Sequence, residues 1–384
     1  MAHVPFNRPP LGGNEARYVE EAIANAHLSS GGPFGRRCEE WLQRRLGPTA
    51  LLTHSCTAAL EMSALLLELD PGDEVVMPSF TFVSTANAFV LRGAVPVFVD
   101  IRADTLTLDE DAVEDAITPR TRAVVAVHYA GVTCDMDRIA AIASAHAVAV
   151  VEDAAQALMS TYKGRHAGSL GDLAALSFHE TKNVTSGEGG ALLVNDPRLV
   201  ERAEVLRTKG TDRARFLRGE VDKYTWVDLG SSYGLSELNA AFLWAQLEVA
   251  DELTADRLRT WGLYHEALAP LEEQGLLRRP IVPGYASHNA HMYYLLVDDL
   301  EERTRIIEEL NARDVNAVFH YVPLHSSSAG TRFGRAVGEL PVTREAADRL
   351  IRLPLWAGMS EGDVERTAAA LDSLVRQRRG VASA

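Results

Sequence analysis

Two runs of the chain, Ala123–Val127 (AVVAV) and Ala147–Val151 (AVAVV), are apolar at every position. A strand with one face in water alternates apolar with polar residues, so an unbroken apolar run needs cover on both faces. Further β-type runs occur at Glu74–Met77, Val95–Val99, Ala174–Phe178 and Ala191–Val194. Between them lie helical patterns at Thr57–Leu69, Val83–Arg92, Asp109–Ala116 and Met136–Ala145. This alternation predicts an α/β fold around a mostly parallel sheet. Long helical patterns follow near Arg198–Thr208 and Leu235–Gln274. A strand at Met292–Val297, a helix at Glu301–Arg313, a strand at Val315–His320 and a last helix at Glu361–Arg376 complete the pattern. The expected division is a large unit over 1–250, including an N-terminal arm, and a smaller α+β unit over 251–384, as the length allows.

The formal charge of −15 excludes a general nucleic-acid binder, which needs a basic face. No apolar run approaches the ~20 residues of a membrane span, and the first residues do not read as a secretory signal. Cys38, Cys56 and Cys134 are odd in number and lack metal-ligand spacing, which suits reduced thiols in a cytoplasmic protein without a metal. The only lysines are Lys163, Lys182, Lys209 and Lys223. Chemistry that needs a lysine amine must choose among these four.

In open α/β sheets a ligand sits beyond the carboxyl ends of the strands. After AVAVV comes Glu152-Asp153-Ala154-Ala155-Gln156, and after AALSF comes His179-Glu180-Thr181-Lys182, then Ser186-Gly187-Glu188-Gly189-Gly190. An aspartate and a lysine at neighbouring strand ends suit pyridoxal phosphate, which needs an amine for attachment and a carboxylate at its ring nitrogen. On spacing alone, a helix N-cap and a solvated loop lysine are the favoured reading. A third segment, His54-Ser55-Cys56-Thr57-Ala58, opens a strong helix pattern, and a helix N-terminus with small and hydroxyl residues is both a cap and a phosphate seat. Ser177 offers one more hydroxyl near Lys182.

Together these segments resemble the DegT/DnrJ/EryC1/StrS sugar aminotransferases, within the aspartate aminotransferase-like (fold-type I) pyridoxal-phosphate enzymes. The likeness covers nearly the whole chain, through PGDEVVMPSFTFVSTANAFVLRGAVPVFVD, VVEDAAQA, SFHETKNVTSGEGG, HYVPLH and RLPLW. Within the family, VPFNRPPLG, RRCEEWL, VAVHYAGVTCDMD, FLRGEVDKYTW, NAHMYY and VFHYVPLHSSSAG most resemble the transaminases that form dTDP-4-amino-4,6-dideoxygalactose. The resemblance implies that Lys182 carries the cofactor, Asp153 partners the ring nitrogen and Gln156 lies near the phenolic oxygen. It places Thr57, Ala58 and Ser177 around the phosphate and Phe82 against the ring. The family often has Gly-x-Asn-x-Arg, whose Asn reaches the partner subunit's cofactor phosphate. Here the stretch is Gly230-Ser231-Ser232-Tyr233-Gly234, so the shorter Ser232 stands for that Asn.

The implied reaction is a ping-pong transfer from glutamate to carbon 4 of a dTDP-4-keto-6-deoxyhexose, in a homodimer with shared active sites. The galacto product is favoured, with the gluco product as the alternative. For the substrate diphosphate, the segment holding Lys209, Arg213, Arg218 and Lys223 is the candidate, although interspersed acids also suit a solvated loop. Tyr321 and His325, in HYVPLH, are candidates for the sugar side. His179, three residues before Lys182, is a candidate catalytic group, and His128 either flanks the sugar or is a satisfied buried polar residue. Three rivals remain: a sugar dehydratase, whose relatives replace the lysine by histidine; a nicotinamide enzyme, whose G-x-G-x-x-G is absent; and a cofactor-sensing regulator, which would need a DNA-binding domain.

Overall fold

In the computed structural model, which describes residues 3–379, the apolar runs form one eight-stranded sheet. In chain order the strands are β1 (Thr49–Thr53), β2 (Glu74–Pro78), β3 (Val95–Val99), β4 (Thr121–Val127) and β5 (Ala149–Asp153). A short hairpin of β6 (Thr161–Tyr162) and β7 (Arg165–His166) precedes β8 (Leu173–Ser177) and β9 (Gly190–Val194). Later come β10 (Ala286–Ser287), β11 (Tyr293–Leu296), β12 (Arg335–Ala336) and β13 (Leu350–Leu353). The main sheet runs β1-β9-β8-β5-β4-β2-β3-β12. Every pair from β8 to β12 is parallel, and β9 is antiparallel to both of its neighbours.

Alternation along β4 shows why its run is apolar throughout. Ala123, Val125 and Val127 pack with Leu60 and Met62 of the helix that follows β1, while Val124 and Ala126 pack with Ile139 and Ile142 of helix Met136–His146. Both faces are dry, as the parallel sheet requires. Four helices of the first part carry the rest of the description: α1 (Glu15–Ala24), α2 (Pro33–Leu46), α3 (Cys56–Leu66) and α4 (Val83–Val90). Glu74, fully buried at the start of β2, pairs with Arg335 of β12 and with Arg120. Those partners hold its carboxyl down at about 2 despite the opposing effect of burial.

Three elements differ from expectation. β5 starts two residues later, because Ala147 adopts the left-handed conformation (φ 54°) that closes the preceding helix. The strand therefore ends on Asp153. The pattern over 235–274 breaks into helices Glu237–Glu248, Ala250–Ala267 and Ala269–Glu273, with Val249 out of helical geometry (φ −117°, ψ 18°). Val315–His320 joins no ladder. It makes only the bridges Val4↔Val315 and Val318↔Arg352, because it turns its later residues into the site.

The C-terminal part pairs β11 with β13 and packs helices Leu300–Ala312 and Glu361–Arg379 around Tyr264, Leu310, Ile351 and Leu371. Val4 of the N-terminal arm is buried in that same core. Its N–H donates to Asp314 O at 2.8 Å, and its carbonyl accepts from Asn316 at 3.0 Å. Among the described residues no helix is long and apolar enough to cross a membrane, and no metal-ligand cluster forms.

Candidate active site

The carboxyl ends of β5 and β8 open onto a cavity of about 650 Å³. Asp153 and Lys182 both line it, together with Thr57, Phe82, Gln156, Ser177, His179 and Tyr321. Eight residues spread over the chain thus converge. Asp153 is buried, and its Oδ2 accepts from the Thr85 hydroxyl at 2.7 Å. Because that proton is committed, the Thr81 hydroxyl, 2.8 Å from Thr85, must be the donor of the next bond. Oδ1 accepts the Ala155 N–H at 3.2 Å, and a turn rather than a helix follows, so Asp153 caps no helix.

Lys182 follows β8 in a turn closed by its own N–H to His179 O at 2.9 Å. Burial pushes its amine below the usual lysine range, and Arg352 lowers it further, while Cys56 and Asp153 act the other way. Lys163 contrasts with it: exposed, at φ 48°, and paired with Asp137 at 2.6 Å. Lys209 and Lys223 are exposed, and neither lines the cavity.

Helix α3 supplies the anion seat. Ser55 caps it by accepting from Ala58 N–H at 3.1 Å, which leaves the amides of Cys56 and Thr57 without intrahelical partners at the cavity wall. Ala58 is the exception to the expected cradle: its N–H is committed to the cap, and its side chain is buried off the wall. The Thr57 hydroxyl donates to Ser84 at 2.8 Å, and Ser84 also lines the cavity. A Cβ on Gly190 would collide with the backbone of Ser55 and Cys56, so only glycine lets β9 approach the seat so closely. These groups fit pyridoxal phosphate: an amine, a held carboxylate and a positive helix end around one cavity.

The remaining candidates divide. Gln156 Oε1 accepts from Ala130 N–H at 2.7 Å, and its Nε2 donates to the Tyr321 hydroxyl at 3.0 Å. Phe82 is 57% exposed at the mouth, so it is not a core aromatic. His179 contacts the Thr181 hydroxyl at 2.9 Å and is partly exposed. His128 is fully buried: Nδ1 accepts from Cys134 N–H at 3.3 Å, leaving Nε2 to donate to Glu152 at 2.8 Å. It is the satisfied polar residue, not a sugar contact. His325 lies off the cavity wall, clamped to Ser79 at 2.7 Å. Ser232, Lys209 and Arg213 line a separate concavity of about 100 Å³ with Ser30 and Gly234. Arg218 pairs with Glu204 and Glu220. Within one chain, then, the four candidate diphosphate cations are not brought to Lys182.

Sequence reasoning missed Phe6, Thr85, His291 and Arg352, which all line the cavity. The one available signal was the lone charge in the apolar strand Leu-Ile-Arg-Leu at 350–353. His291 Nδ1 lies 3.0 Å from Asn183 Oδ1 beside Lys182, and burial holds its imidazole neutral.

A sheet with an amine and a carboxylate at adjacent strand ends, facing a helix-capped anion seat, defines a pyridoxal-phosphate enzyme. The sequence profile of the DegT/DnrJ/EryC1/StrS aminotransferase family matches residues 9–372, and the chain belongs to that family. It is 35% identical to the spore coat polysaccharide biosynthesis protein SpsC of Bacillus subtilis over 97% of each chain. Among solved structures it resembles the aminotransferase TlmJ of Streptoalloteichus hindustanus, with TM-score 0.90 and 32% identity over 98% of this chain and 100% of that one. It also resembles the pyridoxal-phosphate form of the putative sugar aminotransferase Spr1654 of Streptococcus pneumoniae, with TM-score 0.89 and 26% identity over 98% and 99%. The chain is a pyridoxal-phosphate-dependent sugar aminotransferase.

Proposed function

We propose that the chain moves the amino group of glutamate to carbon 4 of a dTDP-4-keto-6-deoxyhexose, in the galacto configuration. The observation that carries an amino transfer is the meeting of Lys182 and Asp153 at one cavity whose wall includes the α3 N-terminus. When bound, pyridoxal phosphate supplies an electron sink for the charge left at the donor's Cα. The chain supplies the rest. Asp153, oriented by Thr85, would keep a proton on the ring nitrogen. The Lys182 amine, whose hold on a proton burial weakens, would take one from the donor Cα and deliver it to the cofactor's C4′ carbon. Thr57, Ser177 and the first-turn amides of α3 would hold the phosphate, and Phe82 would lie against the ring.

We place the nucleotide end of the substrate against the partner of a homodimer. The concavity of Ser30, Lys209, Arg213, Ser232 and Gly234 supports this reading, because it gathers cations away from its own Lys182. Among the described residues neither Lys209 nor Arg213 has an ion-pair partner, whereas Arg218 has two. The test is incubation with dTDP-4-keto-6-deoxyglucose and glutamate, reading the product by NMR. An axial amine at carbon 4 is expected. An equatorial amine would move the assignment to the gluco product, and an amine at another carbon would end it. Mixing Lys182→Ala chains with Lys209→Ala/Arg213→Ala chains tests the shared site. Activity should reappear in the mixture, and an active monomer would contradict the arrangement.

A further inference from the structure

Among the described residues three histidines line the cavity, and their hydrogen bonds fix which nitrogen each one presents. A neutral imidazole has one N–H and one bare nitrogen, so committing the first settles the second. His179 Nδ1 accepts from Thr181 N–H at 3.3 Å, which puts its hydrogen on Nε2. The buried Tyr129 hydroxyl meets only His320 Nδ1, at 3.0 Å, and must donate there, so His320 also carries its hydrogen on Nε2. His291 is the opposite case. Asn183 Nδ2 donates to Asn289 O at 2.8 Å, which turns Asn183 Oδ1 toward His291 Nδ1 at 3.0 Å. An amide oxygen only accepts, so Nδ1 carries the hydrogen and Nε2 is bare. Neither that nitrogen nor the Lys182 amine has a hydrogen-bond partner among the described residues, and neither is sealed from the cavity.

We infer that His291 Nε2 is the acceptor that receives and orients the Lys182 amine once it is freed from the cofactor, which makes His291 a positioning residue for the proton transfer. This rests on Lys182 as the attaching amine. Lysine reaches the ring by turning its flexible four-carbon stem. Burial, the Lys182 amine, Arg257 and Arg352 all disfavour a proton on the ring, so Nε2 remains an acceptor at neutral pH. The ring is registered to the lysine rather than to a ligand, because its clamp Asn183 is the next residue in the chain. Its backbone is held separately. Buried Arg257 donates Nε to Ala290 O at 3.1 Å and Nη2 to His291 O at 2.7 Å. Asn289 donates to Gln156 O and Leu158 O at 2.9 and 2.8 Å, and its Oδ1 accepts His291 N–H at 3.0 Å. A neutral amine has two N–H groups and one lone pair. Anchoring one N–H on a fixed ring removes rotations that would turn the lone pair away from the reacting atoms.

The experiment reads the ring directly, by nitrogen-15 NMR of histidine-labelled protein loaded with pyridoxamine phosphate, which leaves the Lys182 amine free. His291 should show a protonated Nδ1 and an Nε2 resonance displaced from that of an unbonded nitrogen. Lys182→Ala should return Nε2 to the unbonded position and leave Nδ1 in place. This comparison changes nothing at 291, so it stands however the variants at that position fold. In turnover, His291→Asn keeps a donor for Asn183 but loses the far nitrogen. It should lower kcat about 10-fold, the scale of one hydrogen bond, with KM for glutamate and keto sugar unchanged. His291→Gln, whose amide oxygen can stand in for Nε2, should regain most of that loss. Equal losses in the two variants, or an Nε2 signal indifferent to Lys182→Ala, would remove the positioning role and leave amino transfer standing. So would a raised KM for keto sugar at unchanged kcat in His291→Asn, which would give the bare nitrogen to a substrate hydroxyl. Reductive mapping of the pyridoxyl group to another lysine would remove both readings.

Discussion

Glu152 and Asp153 are adjacent acids at the end of one strand, and the pleat sends them to opposite sides of the sheet. Glu152 is fully buried and accepts from Gly168, Leu170 and Gly171 N–H groups and from His128, at 2.7 to 2.8 Å. Asp153 meets one hydroxyl and one amide and keeps the rest of its acceptor capacity toward the cavity. The two share residue class, depth and strand. What separates them is whether the fold has used up their lone pairs. A carboxylate with every site filled is structure, and one held by two bonds and open on a third side is available for chemistry.

On the open side, the largest effect belongs to Lys182→Ala. Turnover should fall on the order of 10⁴-fold, with borohydride-trappable cofactor lost, since this is the amine proposed to carry the proton transfer. Reductive mapping that found the cofactor on Lys163 would break the comparison at its root. Asp153→Asn removes the charge but keeps the shape, and should cost about 10³-fold in turnover with the thermal midpoint nearly unchanged. On the closed side, Glu152→Gln should do the reverse. It turns an amide against backbone donors, costs about 3 kcal/mol of stability, and leaves turnover per folded molecule intact. Equal activity losses at 152 and 153 would erase the distinction.

Two smaller measurements sharpen it. Because burial depresses the Lys182 amine, it is neutral at lower pH than an ordinary lysine. The rate of cofactor attachment to apoprotein should therefore rise with pH through a midpoint below the usual ~10.4. A midpoint at or above that value would mean the amine is solvated. Phe82→Leu should slow turnover by about 5-fold, the scale of one aromatic contact, and should be read at saturating cofactor.

The sheet was legible because β2 to β5, β8 and β9 carry their burial in their own residues. So was the position of the candidate residues along the chain, since Asp153 closes β5, Lys182 follows β8 and Ser55 caps the helix pattern that begins there. Contacts that depend on distant segments left no local trace. Thr85 reaches Asp153 from helix α4, and Arg352 and Phe6 come together from distant parts of the sequence. Val315–His320 has strand composition, yet its Val318 meets only a single partner residue in β13, so composition alone misassigned it. His325 was a candidate for the sugar side through its place in HYVPLH; the fold holds it against Ser79, off the cavity wall.

The arm that carries Phe6 is anchored by Val4 between Asp314 and Asn316. Segments far apart in the sequence therefore dock on one another. Closing so long a loop is slow and waits on prior assembly of the C-terminal core. A ribosome-bound chain lacking that core has no place for Val4, and so cannot complete this wall of the cavity. Maturation of the protein thus has an order, in which the cofactor end, built largely from residues 55–190, can take shape before the end that Phe6 closes.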